Sequence, residues 1–94
     1  MLGPRLALMS TRQLTIYGRD GCHLCAEARA ELEALSAELG GIELREIDIE
    51  SDDLLLAAYL ERIPVVEVDG REVSELELDP VAVREALELH TLRP

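Results

Sequence analysis

Between residues 13 and 41 the apolar positions switch from a strand-like to a helical period. Leu14, Ile16 and Tyr17, with the β-branched Thr15 among them, form a short run of strand character. From Cys25 onward apolar residues recur at Ala28, Leu32, Leu35 and Leu39, a 3-4-3-4 spacing that lines one face of a helix. The pattern predicts a strand at 13–17 and a helix at 22–39. Gly18 and Gly21 bracket the loop between them, which carries Arg19 and Asp20, and Gly40-Gly41 stops the helix. Glu27, Arg29, Glu31 and Glu38 fall on the other helix face, which reads as solvated.

A second strand is expected at 42–49. Its apolar positions Ile42, Leu44, Ile47 and Ile49 slip phase once, at Arg45-Glu46. Ser51, Asp52 and Asp53 offer cap and first-turn acids for a helix at 52–61. The run from Leu54 to Leu60 is apolar nearly all round, which predicts a well-buried helix. Val65-Val66-Glu67-Val68, Asp69-Gly70 and Arg71-Glu72-Val73 read as a hairpin, because Asp-Gly between apolar strands suits a two-residue type I′ turn. Asp79 as N-cap and Pro80 at the first helical position open a last helix to residue 89, with Val83, Ala86, Leu87 and His90 on one face.

The resulting order is β-α-β-α-β-β-α. Strand, helix, strand with short links implies a parallel pair with a right-handed crossover. Adding the hairpin gives an α/β fold: one four-stranded mixed sheet, with the first and third helices on one face and the second on the other. A chain of 94 residues makes one small domain. With two Tyr and no Phe or Trp, its core must be Leu, Val, Ile and Ala. Residues 1–12 show no convincing period and are expected to be a flexible extension ahead of a domain at 13–94. Met9 is a second candidate for the natural start beside Met1.

The formal net charge of -11 disfavours nucleic acid and anionic membrane surfaces, whose binding rests on Lys and Arg. Solubility alone also accounts for such acidity. No run of about 18 apolar residues suggests a membrane helix. Leu6-Ala7-Leu8-Met9 is too short for the apolar region of a secretory signal. The expected location is the cytoplasm, and the expected state a monomer.

The chemistry lies in the two cysteines, Cys22 and Cys25, where the first strand turns into the first helix. Exposed N–H groups at a helix N-terminus stabilise a thiolate, which favours Cys22. Cys25 is one turn further in and belongs to the buried stripe. An attacking thiolate with a resolving thiol behind it is the asymmetry that a thiol/disulfide couple needs. His23 is a candidate for tuning Cys22 through an imidazolium, or else a solvated side chain. Asp20 works against the thiolate. Half a zinc site is the other reading of a C-x-x-C. No further Cys completes one here, and His23, between the cysteines, is badly placed to share their metal, so no metal and no cofactor are expected.

Tyr17-Gly18-Arg19-Asp20-Gly21-Cys22-His23-Leu24-Cys25 resembles the glutaredoxin pattern of a Tyr, a basic residue and a C-x-x-C opening a helix. Arg62-Ile63-Pro64-Val65 resembles that family's cis-proline segment just before the third strand. The similarity covers about residues 13–89 and places the chain near the small bacterial glutaredoxin-like proteins. It implies the thioredoxin-like fold and thiol-disulfide oxidoreductase activity. It also implies a cis bond before Pro64, a substrate-pairing backbone at Ile63, and Arg19 as the contact for a glutathione carboxylate. Tyr17 is expected to pack near the site. One departure is clear: Ser74-Glu75-Leu76-Glu77 stands where glutathione-binding relatives carry Gly-Gly and an Asp. A Cβ there crowds the approach, positive φ becomes unfavourable, and Glu75 and Glu77 repel a carboxylate. Protein disulfides or another low-molecular-weight thiol are therefore the expected partners, with glutathione a weak one, although Arg19 and Arg62 remain as carboxylate contacts. The alternative from another class is a redox-silent or redox-sensing module that holds a peptide in the groove beside Pro64.

Overall fold

A computed structural model describes residues 12–92, with side chains through residue 88. The extension expected over residues 1–11 and the side chain of His90 lie outside the described residues. The elements are β1 (Arg12–Gly18), α1 (His23–Leu39), β2 (Ile42–Asp48), a 3-10 turn (Ile49–Ser51), α2 (Asp53–Tyr59), β3 (Val65–Val68), β4 (Arg71–Glu75) and α3 (Pro80–Leu92). They form one sheet of order β2-β1-β3-β4. β1 runs parallel to β2 and antiparallel to β3, and β3 pairs antiparallel with β4. This is the expected mixed sheet.

Side chains alternate across a strand, and β1 uses both of its faces. Leu14 and Ile16 point to the face covered by α1 and α3, where they join Ala28, Leu32, Leu35, Val66, Val68, Val83 and Leu87 in one apolar cluster. Tyr17 points to the other face, and its ring stacks on Tyr59 at the end of α2, with centroids 4.5 Å apart. Local signals in the chain explain the element ends. Gly40 takes φ 74 at the end of α1. Asp52 accepts from the Leu54 and Leu55 N–H groups at the start of α2. Asp69 (φ 49) and Gly70 (φ 85) make the left-handed pair that the hairpin turn requires. The Asp79 carboxylate accepts from the Ala82 N–H and caps α3.

Four expectations need correction. Helix α2 is apolar all round but not buried: it has no buried residue, and Leu54 is 80% exposed. Of its seven residues only Leu55, Leu56 and Tyr59 are half-buried, and Leu54, Ala57 and Ala58 meet solvent. β2 ends at Asp48 rather than at residue 49, because Ile49 opens the 3-10 turn, and β1 and β2 pair without a break from Arg12↔Ile42 to Gly18↔Asp48. Ile42 and Leu44 serve the α1 face, and Ile47 serves the other. Arg12 belongs to β1 rather than to an extension, and its guanidinium donates to the Leu87 carbonyl at 2.8 Å. The hairpin's second strand reaches Glu75, with a register shift that leaves Val73 unpaired between Glu72 and Ser74.

The contrast between α2 and the core is measurable. Leu87→Ala, at a site with 0% exposure, should lower unfolding free energy by about 2–5 kcal/mol. Leu54→Ala should change it by no more than about 0.5 kcal/mol. Denaturant titration of both variants checks this, and a comparable loss for Leu54 would mean that the outer face of α2 is covered in solution.

Candidate active site

The site is built at the C-terminal end of β1. Gly18 ends the strand, and Gly21, with φ 79, turns the chain back toward the helix. Cys22 then serves as N-cap of α1, and its sulfur accepts a hydrogen bond from the Cys25 N–H at 3.1 Å. The first helical bond runs from the Ala26 N–H to the Cys22 carbonyl. One N–H of the first turn of α1, that of Cys25, is therefore directed at the Cys22 sulfur. Cys22 and Cys25 are joined as a disulfide, with Cα atoms 5.2 Å apart. Cys22 is half-buried, whereas Cys25 is 7% exposed and sits behind it. Gly18 is closely fitted to this pair. A Cβ there would lie 3.1 Å from both Cβ and Sγ of Cys25.

A cleft of about 240 Å³ opens beside the disulfide, on the β2 side. Both cysteines line it, with Arg19 and Asp20 from the loop and Arg29 from α1. The far wall is the end of β2: Glu46, Ile47 and Asp48. Both cleft arginines are already engaged. Arg19 pairs with Glu50 at 2.9 Å, and Arg29 with Glu46 at 3.2 Å. Asp48 caps the 3-10 turn by accepting from the Glu50 N–H.

The other expected site residues are placed elsewhere. His23 is turned to solvent and pairs with Glu27 at 2.8 Å, one helical turn on, with its side chain 86% exposed. Tyr17 lies on the α2 face of the sheet, where its hydroxyl donates to Glu67 at 3.2 Å. Burial, with Glu67 and Tyr59 nearby, pushes this phenol up to about 12, so it stays protonated and keeps that bond. The Ile63-Pro64 bond is cis. The register Tyr17↔Val65, continued by one residue, sets Pro64 across from Gly18 and hence next to the cysteine pair. Pro64 is fully buried, and neither it nor Ile63 lines the cleft. Arg62 is held by Glu72 and by Glu75, the latter at 2.8 Å, and lies over the Tyr59 ring. Its carbonyl accepts from the Leu76 N–H at 2.9 Å. Leu76 takes φ 63, so the left-handed turn after β4 forms without the glycine that the conformation favours. Among the described residues, no three His, Cys, Asp or Glu side chains are grouped as metal ligands.

Sequence reasoning missed Glu46, Asp48 and Glu50. One signal for them was available. Ligands of α/β sheets sit beyond the carboxyl ends of parallel strands, and a parallel β1–β2 pair brings whatever ends β2 alongside whatever ends β1.

The four-stranded sheet, the three helices and the Cys-x-x-Cys pair at a helix N-terminus define an α/β protein of the thioredoxin-fold class. A thioredoxin from Halobacterium salinarum superposes with a TM-score of 0.64 at 27% identity, over 88% of this chain and 78% of that one. The protein Ne2328 from Nitrosomonas europaea superposes with a TM-score of 0.69 at 33% identity, over 81% of this chain and 91% of that one. The uncharacterized protein Rv0508 of Mycobacterium tuberculosis is 36% identical over 81 residues, which cover 81% of this chain and 82% of that protein. The model of the glutaredoxin-like domain family (DUF836) matches residues 13–88, and the chain belongs to that family.

The tight fit at Gly18 gives a test of the geometry. Gly18→Ala should lower the stability of the oxidised protein by roughly 1–2 kcal/mol through overpacking against Cys25, read by thermal unfolding. Unchanged stability would show that the strand end and Cys25 are not in contact.

Proposed function

We propose that this protein is a thiol-disulfide oxidoreductase that reduces disulfides through a Cys22/Cys25 cycle. The observation that carries the reading is the asymmetry of the pair. Cys22 is half-exposed at the N-terminus of α1, with a helix N–H on its sulfur, and Cys25 is buried behind it and bonded to it. Membership of a glutaredoxin-like family and likeness to thioredoxins support it.

In the reduced protein the Cys22 thiolate attacks one sulfur of a substrate disulfide. A Cys22–substrate disulfide forms, and the other substrate sulfur leaves as thiolate. The Cys25 thiolate then attacks the Cys22 sulfur and expels the second substrate thiolate. The substrate gains two electrons, and the protein is left with its Cys22–Cys25 bond. A thiol donor returns two electrons, and water supplies the protons. No metal or organic cofactor takes part. The cycle is assigned to the cytoplasm, where a lone C-x-x-C in a small chain serves redox chemistry rather than a disulfide scaffold. Among the described residues, no helix is long and apolar enough to cross a membrane.

Of the site residues, Cys22 attacks and Cys25 resolves. Pro64, fully buried, backs the pair on the β3 side, and the Ile63 backbone before it is the proposed pairing edge for the incoming disulfide segment. Tyr17 supports that side from the opposite face of the sheet. The pairing of His23 with Glu27 favours a solvated role over tuning of the sulfur. Glutathione is a poor partner in this reading, because Arg19 and Arg62, the two cations considered for its carboxylates, are both occupied by the chain's own acids.

Two experiments test this reading. After reduction, Cys22 should alkylate faster than Cys25 at neutral pH, and Cys25→Ser should accumulate the mixed disulfide while Cys22→Ser forms none; mass spectrometry reads both. Equal alkylation, or trapping by Cys22→Ser, would remove the assigned roles. Turnover with glutathione as donor should fall at least about 10-fold below turnover with a thioredoxin-type reducing system, given the missing complementary charge. Comparable rates would show that the absent Gly-Gly does not matter.

A further inference from the structure

The cleft beside the disulfide is lined by both cysteines, and its charge is one-sided. Arg19 and Arg29 line it, but Glu50 and Glu46 already neutralise them. The acids left over are Asp20, which has no ion-pair partner among the described residues, and Asp48, whose carboxylate meets only backbone N–H. Outside the cleft, Arg62 is likewise consumed by Glu72 and Glu75. Among the described residues, Arg19, Arg29 and Arg62 thus reach a substrate carboxylate only by leaving an acid of this chain. A substrate cation finds two carboxylates within the space its flanking residues would occupy.

We infer that the substrate of this site is a disulfide flanked by positive charge, a Lys- or Arg-bearing peptide segment whose basic side chains enter the cleft between Asp20 and Asp48. This rests on the oxidoreductase reading and names its substrate class. The chemistry of exchange is unchanged; the acids act on encounter and on orientation of the mixed disulfide. Charge complementarity acts mainly through association rate and partner choice. It is screened by salt, with a Debye length of about 30 Å at 0.01 M and about 3 Å at 1 M.

The test uses the full chain, dithiothreitol as reductant, and three peptides with the same disulfide loop flanked by Lys, Gln or Glu. At low ionic strength kcat/KM for the Lys peptide should exceed that for the Glu peptide by roughly 10-fold or more, with the Gln peptide between them. The ratio should fall toward one in high salt. In the double variant Asp20→Asn/Asp48→Asn the Lys-to-Glu ratio should drop about threefold or more. Asn at position 48 keeps an oxygen to accept from the Glu50 N–H, so the 3-10 turn keeps its cap, and the ratio is read within one variant, so a general loss of rate cancels. Equal rates for the three peptides, a preference for Glu, or a ratio unmoved by the double variant would overturn the inference while leaving the oxidoreductase standing. Failure to reduce any of the three would sink the oxidoreductase reading, and the inference with it.

Discussion

The burial of β1 is the constraint from which the position of the site follows. Leu14, Thr15 and Ile16 are all buried, because β1 lies between β2 and β3 and is covered on both faces. A strand buried over its middle three residues has to emerge on the far side, and β1 ends at the half-buried Gly18. The apolar stripe of α1 then packs back on Leu14 and Ile16. That fixes where α1 begins, one short loop beyond the strand end. Cys22 is the residue left at this junction and Cys25 the first member of the stripe, so the difference in exposure between the sulfurs follows from core packing. Replacing side chains of the stripe would alter the site before any residue of the site itself was changed.

Most of the fold was legible because its signals are local. Period, caps and turn residues are written within a few positions of where they act: Asp52 before α2, Asp69-Gly70 in the hairpin, Asp79-Pro80 before α3. The burial of α2 was not legible. An all-round apolar helix is compatible with a buried core element and with a short helix whose outer face is bare, and the pattern is the same for both. Leu76 shows the limit of residue preference. A non-glycine residue in the left-handed region costs roughly 1–2 kcal/mol. Here the bond from Leu76 N–H to the Arg62 carbonyl, and the Ser74 hydroxyl that accepts from the Asp79 N–H, hold the turn from both sides.

The site was half legible. The cysteines carry a strong local signal, whereas the cis bond before Pro64 was legible only through the family resemblance, since about 5–6% of X-Pro bonds in folded proteins are cis. The partners of the arginines carry none, because the sequence separations are long: Arg19 with Glu50, Arg29 with Glu46, Arg84 with Glu38. Pairs this exposed add little to stability, typically about 0–1 kcal/mol each. Their effect is on availability. In a chain with nine basic residues against twenty acids, each paired Arg is one fewer that can meet a ligand's negative charge. A basic residue near a redox pair therefore says little about anion recognition until its own partners are known.

The same acidity bears on the direction of the redox chemistry. A thiol/disulfide protein is a strong oxidant when its reduced form is stabilised, chiefly as thiolate. At Cys22 the helix N-terminus favours the thiolate, while Asp20 and the surplus of carboxylates around the cleft oppose it. The oxidised pair carries no charge and feels neither. The two influences on the proposed nucleophile are thus opposed, the helix end on one side and the carboxylates on the other. A cationic substrate changes this balance as it docks, because its charge offsets the carboxylates beside the attacking sulfur. In the proposed reading, binding and activation are coupled at one place: the charge that would draw a basic disulfide segment into the cleft is the charge that the segment would neutralise as the Cys22 thiolate forms.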